Sequence, residues 1–225
     1  EFDGNKTTAT SGGGAAIYGG TVTLSNNELV RFSSNQSTYG SVDYGYSSSG
    51  GAIRGERIEL SNNGSVIFNK NTAYYGGAIY GDQSVLLNGN GNIEFTETST
   101  GGAIGGQSVT LSNNGNIKFE SSTSTTSSYG HAIWYHTHST GEIALRNNNF
   151  VSFIGFSSAI HVKGNINVSE NVEISFAQNS ARLGGAIYNA EKGIVEFSKN
   201  HDILFSENAA WEGGAIYHIG DIDFF

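Results

Sequence analysis

Cysteine and proline are both absent from the 225 residues. Without cysteine there are no disulfides, no thiol catalysis and no thiolate zinc site. Without proline no backbone N–H is lost to ring closure, so all can donate to a hydrogen-bonded ladder. Charge is scarce: Asp, Glu, Lys and Arg make up 14% of the chain and give a net charge of −9. The 11 Lys and Arg form no cluster, which argues against nucleic acid, whose phosphates must be neutralised by basic side chains. No apolar run approaches the length of a membrane-spanning helix.

What is abundant is repetition. An eleven-residue block, Val109 to Phe119 (VTLSNNGNIKF), occurs seven times, the others starting at Val22, Ile58, Val85, Ile143, Ile166 and Val195. Its first, third and ninth positions are apolar, its sixth is Asn and its eleventh is Phe. A second anchor, Ala-Ile, recurs at Ala16, Ala52, Ala78, Ala103, Ala132, Ala159, Ala186 and Ala215, at intervals of 36, 26, 25, 29, 27, 27 and 29. Length alone would fit one or two globular domains, but a unit of 25 to 29 residues is too short for a domain. It suits one coil of a solenoid.

Within the block, positions one and three face one way, as do nine and eleven. This is the period-two pattern of strands, and no helical period appears. Between them lies a polar corner such as Ser112-Asn113-Asn114-Gly115, where Asn and Gly tolerate left-handed angles. The 32 glycines suit such tight coils. The expected fold is all-β: a right-handed parallel β-helix of three strands per coil and seven to eight coils, its three strands forming three sheets. Its core is read as two stacks. One holds Ile17, Ile53, Ile79, Ile104, Ile133, Ile160, Ile187 and Ile216. The other holds Phe32, Phe68, Phe95, Phe119, Phe153, Phe176 and Phe205, at about 4.8 Å per step.

Residues 1–225 read as a single β-helix segment of a longer domain, uncapped at both ends. Phe2-Asp3-Gly4-Asn5 resembles the end of a coil and Ile222-Asp223-Phe224 the opening of another block. Three insertions interrupt the coils, at 33–50, 120–130 and 134–142. The first two leave the same corner, three coils apart. Replacing residues 36 to 49 by a short turn is expected to leave melting unchanged.

Candidate chemistry is thin. The sixth-position residues Asn27, Asn63, Asn90, Asn114, Asn148, Asn171 and Asn200 read as an internal amide ladder, so Asn114→Ala should cost roughly 1–3 kcal/mol. Glu59, Glu94, Lys118 and Glu173 lie on strands, but they do not form the carboxylate pair that glycoside hydrolysis needs. His136 and His138 are paired without an evident third ligand, so no metal is expected. No cofactor is implied. The residues following each core Ile are read as facing out, and five are aromatic: Tyr18, Tyr80, Trp134, Tyr188 and Tyr217. They form a candidate binding stripe. Tyr39, Tyr44, Tyr46 and Tyr129, on Ser- and Gly-rich insertions, form a second candidate surface.

Two tetrapeptides alternate along the chain. Gly-Gly-Ala-Ile stands at Gly50–Ile53, Gly76–Ile79, Gly101–Ile104, Gly184–Ile187 and Gly213–Ile216. Phe-x-x-Asn stands at Phe32–Asn35, Phe68–Asn71, Phe176–Asn179 and Phe205–Asn208. Gly130-His131 and Ser157-Ser158 depart from the first motif, and Phe95, Phe119 and Phe153 lack the Asn of the second. This alternation resembles the paired repeat of the chlamydial polymorphic membrane proteins. The resemblance implies a type V autotransporter: a surface β-helix passenger whose contact with the membrane is a C-terminal β-barrel outside this chain. It implies a bacterial cell-surface or outer-membrane location, with release into the extracellular space, and a role as adhesin and surface antigen. The implied partner is a host-cell protein or glycan receptor, with self-association through open coil ends. The resemblance also ties both motifs to adhesion. The residues so marked are Gly76, Gly77, Ala78, Ile79, Gly101, Gly102, Ala103 and Ile104, with Gly184, Gly185, Ala186, Ile187, Gly213, Gly214, Ala215 and Ile216. In the second motif they are Phe32, Asn35, Phe68, Asn71, Phe176, Asn179, Phe205 and Asn208. The expectation is a protein that performs no chemistry; the alternatives are a lyase or glycoside hydrolase acting on polysaccharide, and an inert spacer.

Overall fold

Alternating apolar residues give each strand one face that must be buried, and a strand a few residues long can bury it only against its neighbours. The computed structural model, which describes residues 1–8, 13–38, 48–97, 101–121, 130–134, 141–190 and 192–225, does this by winding the chain into a parallel β-solenoid. All described residues are strand, turn or irregular, and every strand pairing is parallel.

The block ends form an eight-stranded sheet that runs from Phe2–Asp3 through Asn116–Glu120 to Asp202–Ser206. Its phenylalanines are in register and stack nearly parallel. Ring centroids are 5.1 Å apart for Phe32–Phe68, 4.9 Å for Phe68–Phe95 and 4.8 Å for Phe95–Phe119, matching the expected rise. Phe2 extends the stack by pairing with Phe32, and Ile222 and Phe224 pair with Val195 and Phe197. All eight core isoleucines are likewise in register.

The expected division into three sheets changes. The Ala-Ile strand and the block opening belong to one twelve-stranded sheet. In Ile17–Ser25, Ile53–Ser61, Ile79–Asn88 and Ile104–Ser112 they are a single strand. Too few residues separate the two segments to make a turn. In two of these pairings the register shifts between the segments, at Gly55 to Arg57 and at Gly106 to Ser108. Among the described residues, the third side of the coil holds the two-stranded Lys6–Thr7/Gln36–Ser37 pair and isolated bridges such as Ser180 with Ala209.

Two corners recur, with the same device. The residue before each inward Asn is left-handed: Asn62 (φ 55°), Asn113 (φ 57°) and Lys199 (φ 54°) at one corner, Ser34 (φ 54°) and Gln178 (φ 57°) at the other. That reversal turns the next side chain inward. Each sixth-position Nδ2 then donates to the Oδ1 of its counterpart one coil on: Asn63 to Asn90 at 2.9 Å, Asn90 to Asn114 at 3.1 Å, Asn114 to Asn148 at 3.0 Å. Its other hydrogen goes to a carbonyl of the preceding coil, as from Asn114 to Leu87 at 2.9 Å. The Phe-x-x-Asn asparagines build a second, interrupted ladder: Asn5 to Asn35 and Asn35 to Asn71 at 2.8 Å, and Asn179 to Asn208 at 2.9 Å.

The paired glycines have separate tasks. Gly76 has φ 55° and turns the chain into the Ile strand. The second glycine lets neighbouring coils touch: a Cβ on Gly51 would lie 1.9 Å from the Gly77 carbonyl oxygen. Gly51→Ala should therefore lower stability by about 1–3 kcal/mol, the usual cost of overpacking. A urea midpoint equal to that of the parent chain would contradict this account.

Candidate functional site

The motif residues tied to adhesion lie inside the rod. Ala78, Ile79, Ala103, Ile104, Ala186 and Ile187 have no exposure, nor do Phe32, Phe68, Phe176, Asn35, Asn71 and Asn179. Gly76, Gly77, Gly101, Gly102, Gly184 and Gly185 are buried too. Only in the last described coil do they open: Gly213 and Gly214 are exposed, and Ala215, Ile216, Phe205 and Asn208 are half-buried. In the inner coils both motifs meet neighbouring coils, so their direct contribution is to build the scaffold.

The aromatic row is not a uniformly outward stripe. Tyr18 is 72% exposed, but Trp134 is only 4% exposed. The Tyr75 ring stacks on Trp134 at 4.7 Å and covers it. Gly105 makes room: a Cβ there would lie 2.7 Å from the Tyr80 ring. Tyr80, half-buried, carries the Arg54 guanidinium at 5.7 Å, and Arg54 also bonds Asp82 at 3.2 Å. Farther on, His161, Tyr188 and Tyr217 continue the row, with ring centroids 4.5 Å and 5.6 Å apart. Burial, and then the neighbouring Tyr217, raises the Tyr188 phenol above its ordinary value, so it stays a neutral donor. Tyr39, Tyr44, Tyr46, Tyr129, His136 and His138 lie outside the described residues.

Of the acids, Glu94 sits opposite Lys118 in the Phe sheet while Glu59 belongs to the other sheet. Glu173 is placed opposite Phe150 and Asp202. Lys118 bonds Glu120 at 2.7 Å.

One concavity was not anticipated from the sequence. Between a block Phe and the next Ala-Ile the chain uses nine residues after Phe68, Phe176 and Phe205, but five after Phe153. That coil cuts its corner. Gly155 (φ 79°) turns the chain, and Phe156 stands where the ladder Asn would be, its N–H donating to Asn179 Oδ1 at 3.0 Å. Ser157 and Ser158 then lead straight into the Ile160 strand. The missing third side leaves a cleft of about 580 Å³, within the span typical of ligand sites.

His131, Ser157 and Ser158 line its floor, all less than a tenth exposed. Ser158 Oγ donates to the Gly184 carbonyl at 2.8 Å, and His131 Nδ1 is 3.1 Å from the Ser158 carbonyl. His161, Lys163 and Tyr188 are on one wall. The nine-residue connections of the next two coils supply the other, through Arg182 and Trp211, which occupy equivalent positions in adjacent coils. The Arg182 guanidinium lies over the Trp211 ring at 5.4 Å, and Trp211 is still 83% exposed. Among the described residues no Asp or Glu lines the cleft, on a chain of net charge −9. Two of the three departures from Gly-Gly, at Gly130-His131 and Ser157-Ser158, are therefore at this cleft; the third is Gly14-Ala15 in the first coil.

The repeat described as the Chlamydia polymorphic membrane protein repeat matches at residues 65–82, 173–190 and 202–218. Each match runs from a Phe strand through a Phe-x-x-Asn corner and a nine-residue third side into a Gly-Gly-Ala-Ile strand. Neither a curated protein nor a solved structure matches the chain.

Proposed function

We infer from this chain's membership of the Chlamydia polymorphic membrane protein repeat family that it is a surface-displayed passenger segment of autotransporter type and acts as an adhesin. The observation that carries this reading is the agreement between repeat and coil: every match covers the same part of a coil, from the Phe strand to the Gly-Gly-Ala-Ile strand. A rod of such units has a core that tolerates insertions at its corners, because each coil depends only on its neighbours. Display is then the mechanism. The scaffold holds loops and clefts outward, and host-cell proteins or glycans are the partners they meet.

Adhesion through the insertion at 33–50 is directly testable. Its ends belong to the fold, which corrects the expectation for replacing 36 to 49. Ser37 and Ser48 are buried, Ser37 Oγ donates to the Gly13 carbonyl at 2.8 Å, and Ser48 Oγ accepts from the Tyr74 N–H at 3.0 Å. The replaceable part is 39–47, which carries Tyr39, Tyr44 and Tyr46. Beads coated with the 225-residue chain should attach to cultured host cells, and a chain with 39–47 replaced by a Gly-Ser turn should attach more weakly at an unchanged melting temperature. Equal attachment at equal stability moves adhesion to another face. Absence of attachment by the parent chain contradicts the adhesin reading.

A further inference from the structure

We propose that the cleft between the Ser157-Ser158 corner and the Arg182–Trp211 rim binds an anionic saccharide, a pyranose bearing a carboxylate or sulfate. The inference rests on the surface-display reading only in that it places the ligand outside the cell.

The chemistry follows from the lining. A pyranose has an apolar face of C–H groups and an equatorial ring of hydroxyls. It needs a flat aromatic surface and several short polar groups around it. Trp211 provides the surface. Arg182 covers one side of the indole, and the high exposure of the residue leaves the other side open. A planar guanidinium offers a fork of N–H donors that matches a carboxylate or sulfate. The Tyr188 phenol and the Ser180 hydroxyl supply hydroxyl-sized partners on the same wall.

Charge selects among saccharides. Lys163 and Arg182 both line the cleft, and among the described residues neither is in an ion pair. Of the nine cations elsewhere in the chain, five, Arg54, Lys70, Lys118, Arg146 and Lys199, have a carboxylate within 4 Å. A hollow with two cations and, among its described residues, no carboxylate disfavours a neutral sugar and favours an anion. The hollow follows from the shortened corner at Phe153 to Ala159, and the nine-residue connections of the next two coils rise beside it. An acidic peptide is the less favoured ligand, because the third side offers no open run of paired strand edge here. Ser180 and Leu183 are already bridged to Ala209 and Glu212.

The test is direct titration of the full 225-residue chain, followed by calorimetry and tryptophan emission. The probes are 3′-sialyllactose and a heparin hexasaccharide, with lactose as the neutral control and hexaglutamate as the peptide control. Trp134 is buried, so an emission change reports on Trp211. At least one anionic saccharide should bind saturably with lactose about tenfold weaker or worse, and Arg182→Gln and Lys163→Gln should each raise Kd by about tenfold. Trp211→Phe should remove the emission change. All three side chains are at the surface, so melting temperatures should be equal. Which of the two acidic probes binds separates a sialylated terminus from a sulfated polymer as the source. The proposal is overturned by absence of saturable binding of both acidic saccharides, by equal affinity for lactose, by Kd values unmoved in R182Q and K163Q, or by tighter binding of hexaglutamate, which would make the cleft a peptide site. Failure here with bead attachment intact refutes the cleft alone. Saccharide binding without cell attachment refutes the adhesin reading instead.

Discussion

Phe119→Ala should lower the stability of the chain by about 3–5 kcal/mol, the range for emptying a fully buried aromatic site. Phe119 has no exposure and lies in the middle of the stack. Its ring is 4.8 Å from Phe95 at an interplanar angle of 1°, and 4.8 Å from Phe153 at 8°. Removing it takes contacts from both neighbours, and a rigid strand spacing prevents the coils from closing the gap. Phe205 supplies the comparison. It is half-buried, so Phe205→Ala should cost distinctly less. In a solenoid the weakened interface sits between two runs of coils, so unfolding of Phe119→Ala should also become less cooperative. Urea denaturation followed by circular dichroism measures both effects. A loss below about 1 kcal/mol, or equal losses at the two positions, would contradict a continuous aromatic core.

Asn114→Asp should be of similar size, about 3–5 kcal/mol at neutral pH, although it changes one atom for another of nearly equal bulk. Asn114 is 4% exposed. Its Nδ2 donates to Asn148 Oδ1 at 3.0 Å and to the Leu87 carbonyl at 2.9 Å. Its Oδ1 accepts from the backbone N–H and Nδ2 of Asn90 at 2.9 and 3.1 Å. Every hydrogen-bonding site of the amide is therefore used. A carboxylate keeps the acceptor role but sets an anion against two oxygens, in a place water does not reach. Burial and those oxygens raise the pKa of the new acid in the folded state. The folded variant then holds its proton at pH values where the unfolded one has lost it. The penalty should accordingly be smallest in acid, grow as pH rises above the ordinary Asp value of about 4, and level off above the raised folded value. Asn27→Asp, at the exposed first rung, should be milder. A pH-independent loss, or equal losses at Asn27 and Asn114, would mean that the ladder is not what holds this corner.

Both effects arise from features legible in the residues alone. The Phe and Ile stacks are one-dimensional: a side chain recurring at one place in every coil must meet its own copies, because parallel strands repeat at a fixed spacing. The Asn ladder follows by the same reasoning, since an amide is both donor and acceptor and can bond its own copy. Periodicity was therefore enough for core, corner and register, and it aligned Ile222 and Phe224 with Val195 and Phe197, the pairing that is found.

Side-chain direction across the rod was less legible. The rule that the residue after each Ile faces out holds for the backbone, yet Trp134 is covered. The residue that covers it, Tyr75, comes from a different side of the coil, two coils away. No periodic pattern within one strand carries that information. Nor did the strand pattern reveal that the Ile strand and the block opening join into one sheet, because a continuous strand and two strands meeting at a corner show the same alternation.

The cleft had a signal that its own compensation concealed. The repeats from Ala132 to Ala159 and from Ala159 to Ala186 are both 27 residues long. The first holds an insertion after Trp134, so it must be short elsewhere, and the shortage falls between Phe153 and Ala159. Interval counting gives only the sum. By itself the sequence determined the solenoid, its stacked core and its amide ladders, because these depend on contacts between identical positions one coil apart. The covered tryptophan and the cationic, aromatic cleft were decided only by tertiary structure, because they depend on different positions brought together by coils of unequal outline.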